Sequence, residues 1–175
     1  MGYDVVSRLF HWVTVLIVAV MIPVGLYMTQ DDIPKATQDP LFILHKGLGA
    51  VFLVVILARL GWRLFHSPPP LPASLPGAQR LAAKVVHAGL YLFLLVMAVS
   101  GYVRVMTGGF PIELLNAAGI PPLLPKAEAV SKVASTIHAV AKNGLILLIA
   151  MHVGAAAYHG LVRRDGVFSR MWPPV

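Results

Sequence analysis

The sequence predicts an all-α fold, a bundle of four transmembrane helices in a single domain that covers residues 1–175. Two observations support this prediction. The composition is 58% hydrophobic and only 12% charged, whereas about 25% of the residues in ordinary soluble proteins are charged. Four stretches of the chain also carry few or no charges, and each can cross the roughly 30 Å hydrocarbon core as a helix. High apolar content excludes a disordered chain, and the absence of cysteine excludes a disulfide scaffold or a thiolate metal site.

The first transmembrane helix is predicted between Arg8 and Asp31, because no charged residue occurs from Leu9 to Gln30. Pro23 and Gly25 lie within it and predict a kink rather than an end, since both are tolerated in membrane helices. A signal peptide is the alternative for this segment. It is disfavoured because no cleavage site follows.

The other three helices follow from similar apolar stretches. The second runs from Leu41 to Ala58 and contains one charge, Lys46, near its start. The third has no charge from Val85 to Val103. The fourth has none from Asn143 to Val162, and the run from Ser135 belongs to the same helix. All are long enough to span a bilayer. The ammonium group of Lys46 can reach the membrane surface along its flexible side chain.

Two connectors separate these helices. The segment from Ser67 to Pro72 is rich in proline, so it cannot be helical and is predicted to be a short extended link. The segment from Thr107 to Lys132 is rich in glycine, proline and small residues and has room for a short surface helix. Neither connector predicts a second domain.

The distribution of lysine and arginine predicts the orientation. Most of them flank the helices on one side: Arg8, Arg59, Arg63, Arg80, Lys84, Arg163, Arg164 and Arg170. The other side carries Lys35, Arg104, Lys126 and Lys132 together with most of the acids. The positive-inside rule then places both termini in the cytoplasm. The net charge of +7 reflects anchoring to membrane lipid headgroups, and no nucleic-acid partner is expected.

The histidines are concentrated within or at the ends of the predicted spans. Of the seven, only His66 lies clearly in a loop, and the others are His11, His45, His87, His138, His152 and His159. Ionisable side chains at membrane depth are costly and usually face a bundle interior. A single membrane histidine is often only a hydrogen bond between helices, but this many indicate a functional site.

Their spacing sorts the histidines into two levels. His138 and His152 are fourteen residues apart, which places them within ~40° of one helix face and ~21 Å apart along the axis. His45 lies at the level of His138 near the outer end of the bundle. His11 lies near the inner end, at a level that matches either His152 or His159. Depth alone does not decide between these two.

Pairs of histidines at two depths predict two stacked haems. A closed structural zinc site needs four ligands, whereas haem iron needs only one or two axial ligands from the protein. The haems would be b-type, because covalent attachment requires cysteine. Small residues along the helices would admit a flat macrocycle or serve ordinary helix packing: Gly47, Gly49, Gly89, Gly101, Gly144 and Gly154.

Several motifs together point to a known family. They are Arg8-Leu9-Phe10-His11-Trp12, His45, Ala58-Arg59-Leu60 with Arg63, the Pro68–Pro72 connector, His87-Ala88-Gly89-Leu90-Tyr91, Ile137-His138, Met151-His152 and Tyr158-His159. In these features the chain resembles the prokaryotic cytochrome b561 family of small di-haem membrane proteins. The resemblance covers essentially the whole chain, and its histidine pattern is the specific part.

The resemblance implies residue roles. His11 and His152 would be the axial ligands of the inner haem b, and His45 and His138 those of the outer one. A quinone site would lie on the cytoplasmic side, near His87 and His159. The segment that contributes to this site would be Gly77, Ala78, Gln79, Arg80 and Leu81.

The resemblance also implies an activity: an oxidoreductase of the bacterial inner membrane that passes electrons between a periplasmic donor and ubiquinone. Some members resemble a superoxide oxidase. Lys46 and Lys142 stand near the outer histidines and would attract a small anion such as superoxide, or else pair with haem propionates. Arg59, Arg63 and Arg80 would bind propionates of the inner haem or act as membrane anchors.

Two alternatives remain. The chain would be a haem-bearing anchor of a larger dehydrogenase if a redox partner protein docks on the segment from Thr107 to Lys132. It would be a haem-free transporter if the histidines act as proton relays.

Overall fold

The computed structural model describes residues 2–72 and 75–172, and within them the chain is helical with no strand. The terminal residues Met1 and Val175, whose cytoplasmic position is predicted, lie outside that description. The elements in chain order are α1 (Val5–Tyr27), α2 (Lys35–Phe65), α3 (Gly77–Thr107), α4 (Glu113–Ala117) and α5 (Glu128–Ala157), then a π-helical turn (Tyr158–Arg163) and a 3₁₀ turn (Phe168–Arg170). Four helices, α1, α2, α3 and α5 with its π-helical turn, are long and apolar enough to cross a membrane. The predicted all-α bundle of four transmembrane helices is confirmed.

The first helix begins at a polar cap. The Asp4 carboxylate accepts hydrogen bonds from the Ser7 amide at 2.8 Å and the Ser7 hydroxyl at 2.6 Å, which satisfies a backbone donor that the helix leaves free. Burial alone would raise the pKa of Asp4, but the bonds from Ser7 outweigh it and hold that pKa below its ordinary value. The helix continues through Pro23 to Tyr27, so the proline does not end it, as predicted.

The other long helices start earlier than the uncharged stretches suggest. The second begins at Lys35 rather than Leu41 and includes Pro40. The third begins at Gly77, and the last at Glu128. A charged residue marks the edge of the hydrocarbon core, whereas a helix can continue into the headgroup and water layers, where its polar side chains are solvated. The predicted bounds were therefore too short by about two turns.

The helices do not pack equally on one another. Helix α5 packs mainly on α3, while α2 packs on both α1 and α3. Among the described residues, neither α1 nor α2 makes extensive backbone contact with α5. One of the two core clusters among the described residues comes from α2, α3 and α5: Phe52, Ile56, Leu94, Ala98 and Leu145. The long helices therefore pack in the order α1, α2, α3 and α5, and among the described residues the backbone of α5 stays apart from those of α1 and α2.

The segment from Thr107 to Lys132, called the outer connector after its predicted side of the membrane, contains the short helix that the sequence allows for, α4. Ile112, just before it, is 2% exposed and packs with Ala50 and Met106. The Lys46 ammonium of α2 donates to the Pro111 carbonyl at 2.7 Å and pairs with the Glu113 carboxylate at 2.8 Å. These contacts hold the outer connector on α2.

The C-terminal residues Asp165–Trp172, called the tail below, cross the inner end of the bundle. The buried Arg170 guanidinium donates to the carbonyls of Pro69 and Pro70 at 2.8 and 2.9 Å. The Trp12 indole donates to the Met171 carbonyl at 2.9 Å, and the Tyr3 amide donates to the Arg170 carbonyl at 3.1 Å. The tail therefore joins the N-terminal segment, α1 and the extended proline connector.

Candidate functional site

At the inner end, the structure brings His11 of α1 and His152 of α5 together. Their ring centres are 6.2 Å apart, and the ring planes are inclined by 59°. Both side chains are half-buried, and His11 Nδ1 is buried with no hydrogen-bond partner in the part of the chain that the structure describes. His87 of α3 adds a third ring, 5.3 Å from that of His152. No ring contact between His11 and His159 occurs in the described part of the chain.

At the outer end, His45 and His138 occupy equivalent positions. Lys35 to His45 and Glu128 to His138 are both ten residues, counted from the first residue of α2 and of α5. Both helices are predicted to start on the outer side, and the same number of residues along each helix then gives the two histidines a similar depth. No ring contact joins them within residues 2–72 and 75–172, and His45 Nδ1 is buried without a partner.

The His138 ring is held in one tautomer. Its Nδ1 lies 3.1 Å from the Met97 carbonyl oxygen and 3.2 Å from Ser100 Oγ. A carbonyl can only accept, so Nδ1 carries the proton and Nε2 keeps its lone pair. A histidine that binds a metal usually donates its other N–H to a carbonyl in this way. The Met97 and Ser100 contacts were not identified in the sequence, because they join helices whose relative rotation is not a local property.

Two outer histidines lie against glycines. A Cβ atom added to Gly25 would lie 2.9 Å from Cε1 of His45, and one added to Gly101 would lie 3.0 Å from Cε1 of His138. Real Cβ atoms almost never approach another atom as closely as the first distance, and the second is also tighter than most real contacts. The sequence leaves two roles open for Gly101, admitting a macrocycle or packing against a helix, and identifies Gly25 only as a helix interruption. In the structure both make room for an imidazole.

The remaining glycines of the predicted set serve mostly in helix packing. A Cβ added to Gly47, Gly49, Gly89 or Gly144 would meet an apolar side chain of another helix. The side chains concerned are Leu114, Met21, Leu148 and Phe93. Gly154 has no such neighbour within 4 Å. Of the two roles predicted for these residues, helix packing is the one seen for those four.

The residues present fit haem. Two metal–imidazole bonds of about 2 Å, with about 1 Å from each nitrogen to its ring centre, put two axial ring centres about 6 Å apart. The His11–His152 separation of 6.2 Å matches this. No group of three or more His, Asp or Glu side chains in the described residues is arranged to hold a metal ion alone, so these imidazoles suit a metal that brings its own equatorial ligands.

The residues expected at the quinone site lie on two separate elements. Gly77, Ala78, Gln79, Arg80 and Leu81 form the first turn of α3. His159 lies on the π-helical turn, half-buried. His87 is further along α3 and faces His152, and no contact in the described residues joins it to His159.

His159 instead pairs with an acid that sequence reasoning missed. Its Nδ1 is 2.7 Å from Asp165 Oδ2. Burial alone would raise the pKa of Asp165, but the hydrogen bonds from His159 and the Val167 amide lower it below its ordinary value. Asp165 stands out in the sequence as an acid within a basic flank, six residues after a histidine, and this was the available signal.

The basic residues named as anion or propionate binders differ in their surroundings. Lys46 is neutralised by Glu113, while Lys142 is half-buried one turn beyond His138. The Arg59 guanidinium lies 5.1 Å from the centre of the Tyr91 ring. Arg59 and Arg63 line a cavity of about 20 Å³ at the inner end.

Two further residues fall in the connectors. His66 is exposed, as expected for a loop, and its ring stacks on Trp62 with centres 3.6 Å apart. In the outer connector, where a redox partner was considered, an open groove of about 640 Å³ runs past Phe110 and Asn116 to Lys126. Nothing in the structure shows what would cover it.

Comparison with known proteins gives a consistent result. The family model described as prokaryotic cytochrome b561 matches residues 2–174. Cytochrome b561 homolog 2 of Escherichia coli (strain K12) is 32% identical over 170 residues, which cover 97% of this chain and 90% of that protein. Cytochrome b561 homolog 1 of the same organism is 28% identical over 93% of this chain and 92% of its own length. A probable superoxide oxidase CybB of Yersinia pestis is 24% identical over 93% of this chain and 91% of its length.

Proposed function

The chain belongs to the prokaryotic cytochrome b561 family, and from that premise we propose that it carries electrons between a periplasmic donor and ubiquinone through two haems b. Membership establishes a multi-pass membrane protein of haem b electron transfer. The proposal adds the number of haems, their ligands, the quinone acceptor, the donor and the bacterial inner membrane as location.

The observation that carries the proposal is the 6.2 Å separation of the His11 and His152 rings. The two rings come from α1 and α5, whose backbones stay apart, so the two imidazoles can bind opposite faces of one macrocycle. His11 Nδ1 has no hydrogen-bond partner within residues 2–72 and 75–172. These residues would hold the inner haem.

The outer haem would be held by His45 and His138. The equal depth of the two residues on α2 and α5 supports this assignment, and so does the Met97 carbonyl, which fixes the proton of His138 on Nδ1. Gly25 and Gly101 allow each ring to lie close to a neighbouring helix. When bound, the two haems supply one-electron redox centres at the two levels of the membrane.

Ubiquinone is proposed as the acceptor at the inner end. Its reduction to ubiquinol consumes two electrons and two protons, so the site needs groups that bind the carbonyl oxygens and deliver protons. His159 and His87, with the first turn of α3, Gly77–Leu81, would provide the contacts. A neutral imidazole carries one N–H donor and one acceptor nitrogen, so it suits both hydrogen bonding to a quinone oxygen and proton transfer.

Superoxide is proposed as the donor. One relative is named a probable superoxide oxidase, and the half-buried Lys142 lies one turn beyond His138. An ammonium there would favour a small anion near the outer haem. Lys46 contributes less to this attraction because Glu113 neutralises it. Two superoxide ions would give two electrons and two dioxygen molecules for each ubiquinone reduced.

The test uses the purified full-length protein with its haems. Haem reduced by dithionite, once the excess is removed, should be re-oxidised by a short-chain ubiquinone under anaerobic conditions. Oxidised protein supplied with superoxide and the same quinone should form one ubiquinol per two superoxide ions. Haems that ubiquinone does not re-oxidise would overturn the quinone proposal, and haems that superoxide leaves oxidised would overturn the choice of donor. A preparation without haem bands would favour the histidine-relay alternative.

A further inference from the structure

A histidine and a carboxylate form a shielded pair at the inner end of the last helix. His159 Nδ1 and Asp165 Oδ2 are 2.7 Å apart, and their side chains are only 12% and 16% exposed. The histidine lies on the π-helical turn Tyr158–Arg163, a rare geometry that often occurs at functional sites. The pair is separate from the four histidines assigned to the haems.

The backbone is bent so that the pair can form. Arg164 adopts the left-handed conformation, with φ 49° and ψ 37°, which costs free energy for a residue other than glycine. The bend ends the helical turn and returns the chain so that Asp165 faces His159. The second oxygen of the carboxylate, Oδ1, accepts from the Val167 amide at 3.3 Å. The carboxylate is therefore oriented from both sides.

The tail holds this bend in place. Phe168 packs on Gly160, where an added Cβ would lie 3.1 Å from its ring. Arg170 then fastens the tail to Pro69 and Pro70, in the connector that leads into the first turn of α3. The pair is thus tied, through the tail, to the proline connector that precedes α3 in the chain.

The pairing dictates the protonation of the ring. The low pKa of Asp165 keeps it ionised, and a carboxylate can only accept, so Nδ1 of His159 carries a proton and Nε2 is the atom available for exchange. A carboxylate in this position also stabilises the imidazolium that forms when Nε2 gains a proton, as in hydrolase triads.

We propose that Asp165 is the positioning residue for quinone protonation, holding His159 with Nε2 directed to a quinone oxygen and stabilising its protonated form. Nε2 takes a proton from cytoplasmic water and gives it to the reduced quinone oxygen, and the imidazole returns to its neutral state. The two electrons come through the haems. This inference rests on the proposed function, because it requires that ubiquinone binds beside His159.

The experiment compares variants of the holoprotein in the ubiquinone reaction. Asp165→Asn keeps an oxygen for the Val167 amide but removes the carboxylate from His159. It should slow the maximal rate of haem re-oxidation by about 10- to 100-fold and leave the quinone concentration for half-maximal rate unchanged. Asp165→Glu, which keeps a carboxylate, should recover most of the rate. Asp4→Asn is the matched control, since Asp4 also accepts from a backbone amide and a side chain at the inner end but touches no histidine.

A double variant separates positioning from a structural role. If Asp165 acts through His159, Asp165→Asn combined with His159→Ala should be no slower than His159→Ala alone. Haem content and reduction by dithionite should equal those of the wild type in every variant. A wild-type rate in Asp165→Asn with a slow His159→Ala would overturn this inference alone, and so would a Glu variant as slow as the Asn variant. A wild-type rate in His159→Ala would remove His159 from the quinone site and overturn both proposals at this residue.

Discussion

The His45 imidazole lies so close to the Gly25 backbone that a Cβ atom on Gly25 would come within 2.9 Å of its Cε1 atom. Gly25 belongs to α1 and His45 to α2, so the contact joins two helices at the level of the proposed outer haem. A similar relation holds between Gly101 of α3 and His138 of α5. The positions of the two proposed ligands of the outer haem therefore depend on Gly25 and Gly101, which carry no functional group.

Alanine at position 25 should therefore impair the outer haem selectively. The methyl group would push the His45 ring away from its position, and haem content should fall toward one per chain while the inner haem remains. The measurement is the haem-to-protein ratio, together with the bands of the reduced protein. Gly49→Ala is the control, because its Cβ would meet Met21 at an ordinary 3.6 Å. Full haem content in Gly25→Ala would show that this contact is not needed for binding.

Replacing single histidines should remove single haems. The wild type should contain two haems b per chain and show split or broadened low-spin bands. His11→Ala or His152→Ala should lose the inner haem, and His45→Ala or His138→Ala the outer. His66→Ala, in a loop, should keep both. The assignment is wrong if His159→Ala, rather than His152→Ala, loses the inner haem.

The Lys46–Glu113 ion pair should make stability depend on pH. Burial alone would raise the pKa of Glu113, but the hydrogen bond from Lys46 lowers it below the ordinary value of 4.5. A carboxyl whose pKa is lowered by folding stabilises the protein above its unfolded pKa, and this is lost as the pH falls through the folded value. The pair is partly exposed, with side-chain exposures of 15% and 36%, so its contribution should be below about 1 kcal/mol.

The check is the difference in Tm between the wild type and Glu113→Gln as a function of pH. The difference should be constant from pH 7 to about pH 5 and shrink below the unfolded pKa. Glu128→Gln is the control, because Glu128 pairs with Lys132 while both side chains are largely exposed, 81% and 77%. A Tm difference that grows as the pH falls would contradict the expected direction of this pH dependence.

Removal of the Arg170 guanidinium should release the tail. Arg170→Met loses two charge-assisted hydrogen bonds to the proline connector, each worth about 1.5–3 kcal/mol. The tail should then be cleaved faster in limited proteolysis, and Tm should fall. Lys84→Met, at an exposed side chain of α3, should change neither by a comparable amount. Equal cleavage of the Arg170 variant and the wild type would show that the other tail contacts suffice.

Cysteines introduced near the two ends of α2, at Thr37 in its first turn and at Ser67 just beyond its last residue, should report the orientation. Thr37 and Ser67 are both exposed, and the chain has no cysteine of its own. With an impermeant thiol reagent, Thr37→Cys should react from the periplasmic side of intact cells, and Ser67→Cys only after the inner membrane is opened. The unmodified chain provides the background. Labelling of both from one side would overturn the predicted orientation, including the cytoplasmic position of the termini.

The transmembrane bundle could be predicted because its signals are local. Hydropathy over about 20 residues identifies a span, and the fixed rise of a helix assigns a depth to each histidine. The depth argument grouped His45 with His138, and the structure gives them equal positions on α2 and α5. The helix ends were predicted less well, as α2 shows by starting at Lys35, because solvated turns beyond the hydrocarbon leave no apolar signal.

What the sequence by itself determined was the fold class, the apolar spans and the depth of the histidines, since each depends on neighbouring residues along one helix. The tertiary structure decided which side chains meet. It placed Gly25 against His45 and paired Lys46 with Glu113. It also brought His138 to the Met97 carbonyl and Asp165 to His159. The first three contacts depend on the rotation and separation of packed helices, and the fourth on a left-handed bend at Arg164. Hydrophobic periodicity encodes neither the rotation of the packed helices nor the bend at Arg164. The same apolar pattern permits many helix rotations, and the same basic flank permits many turns.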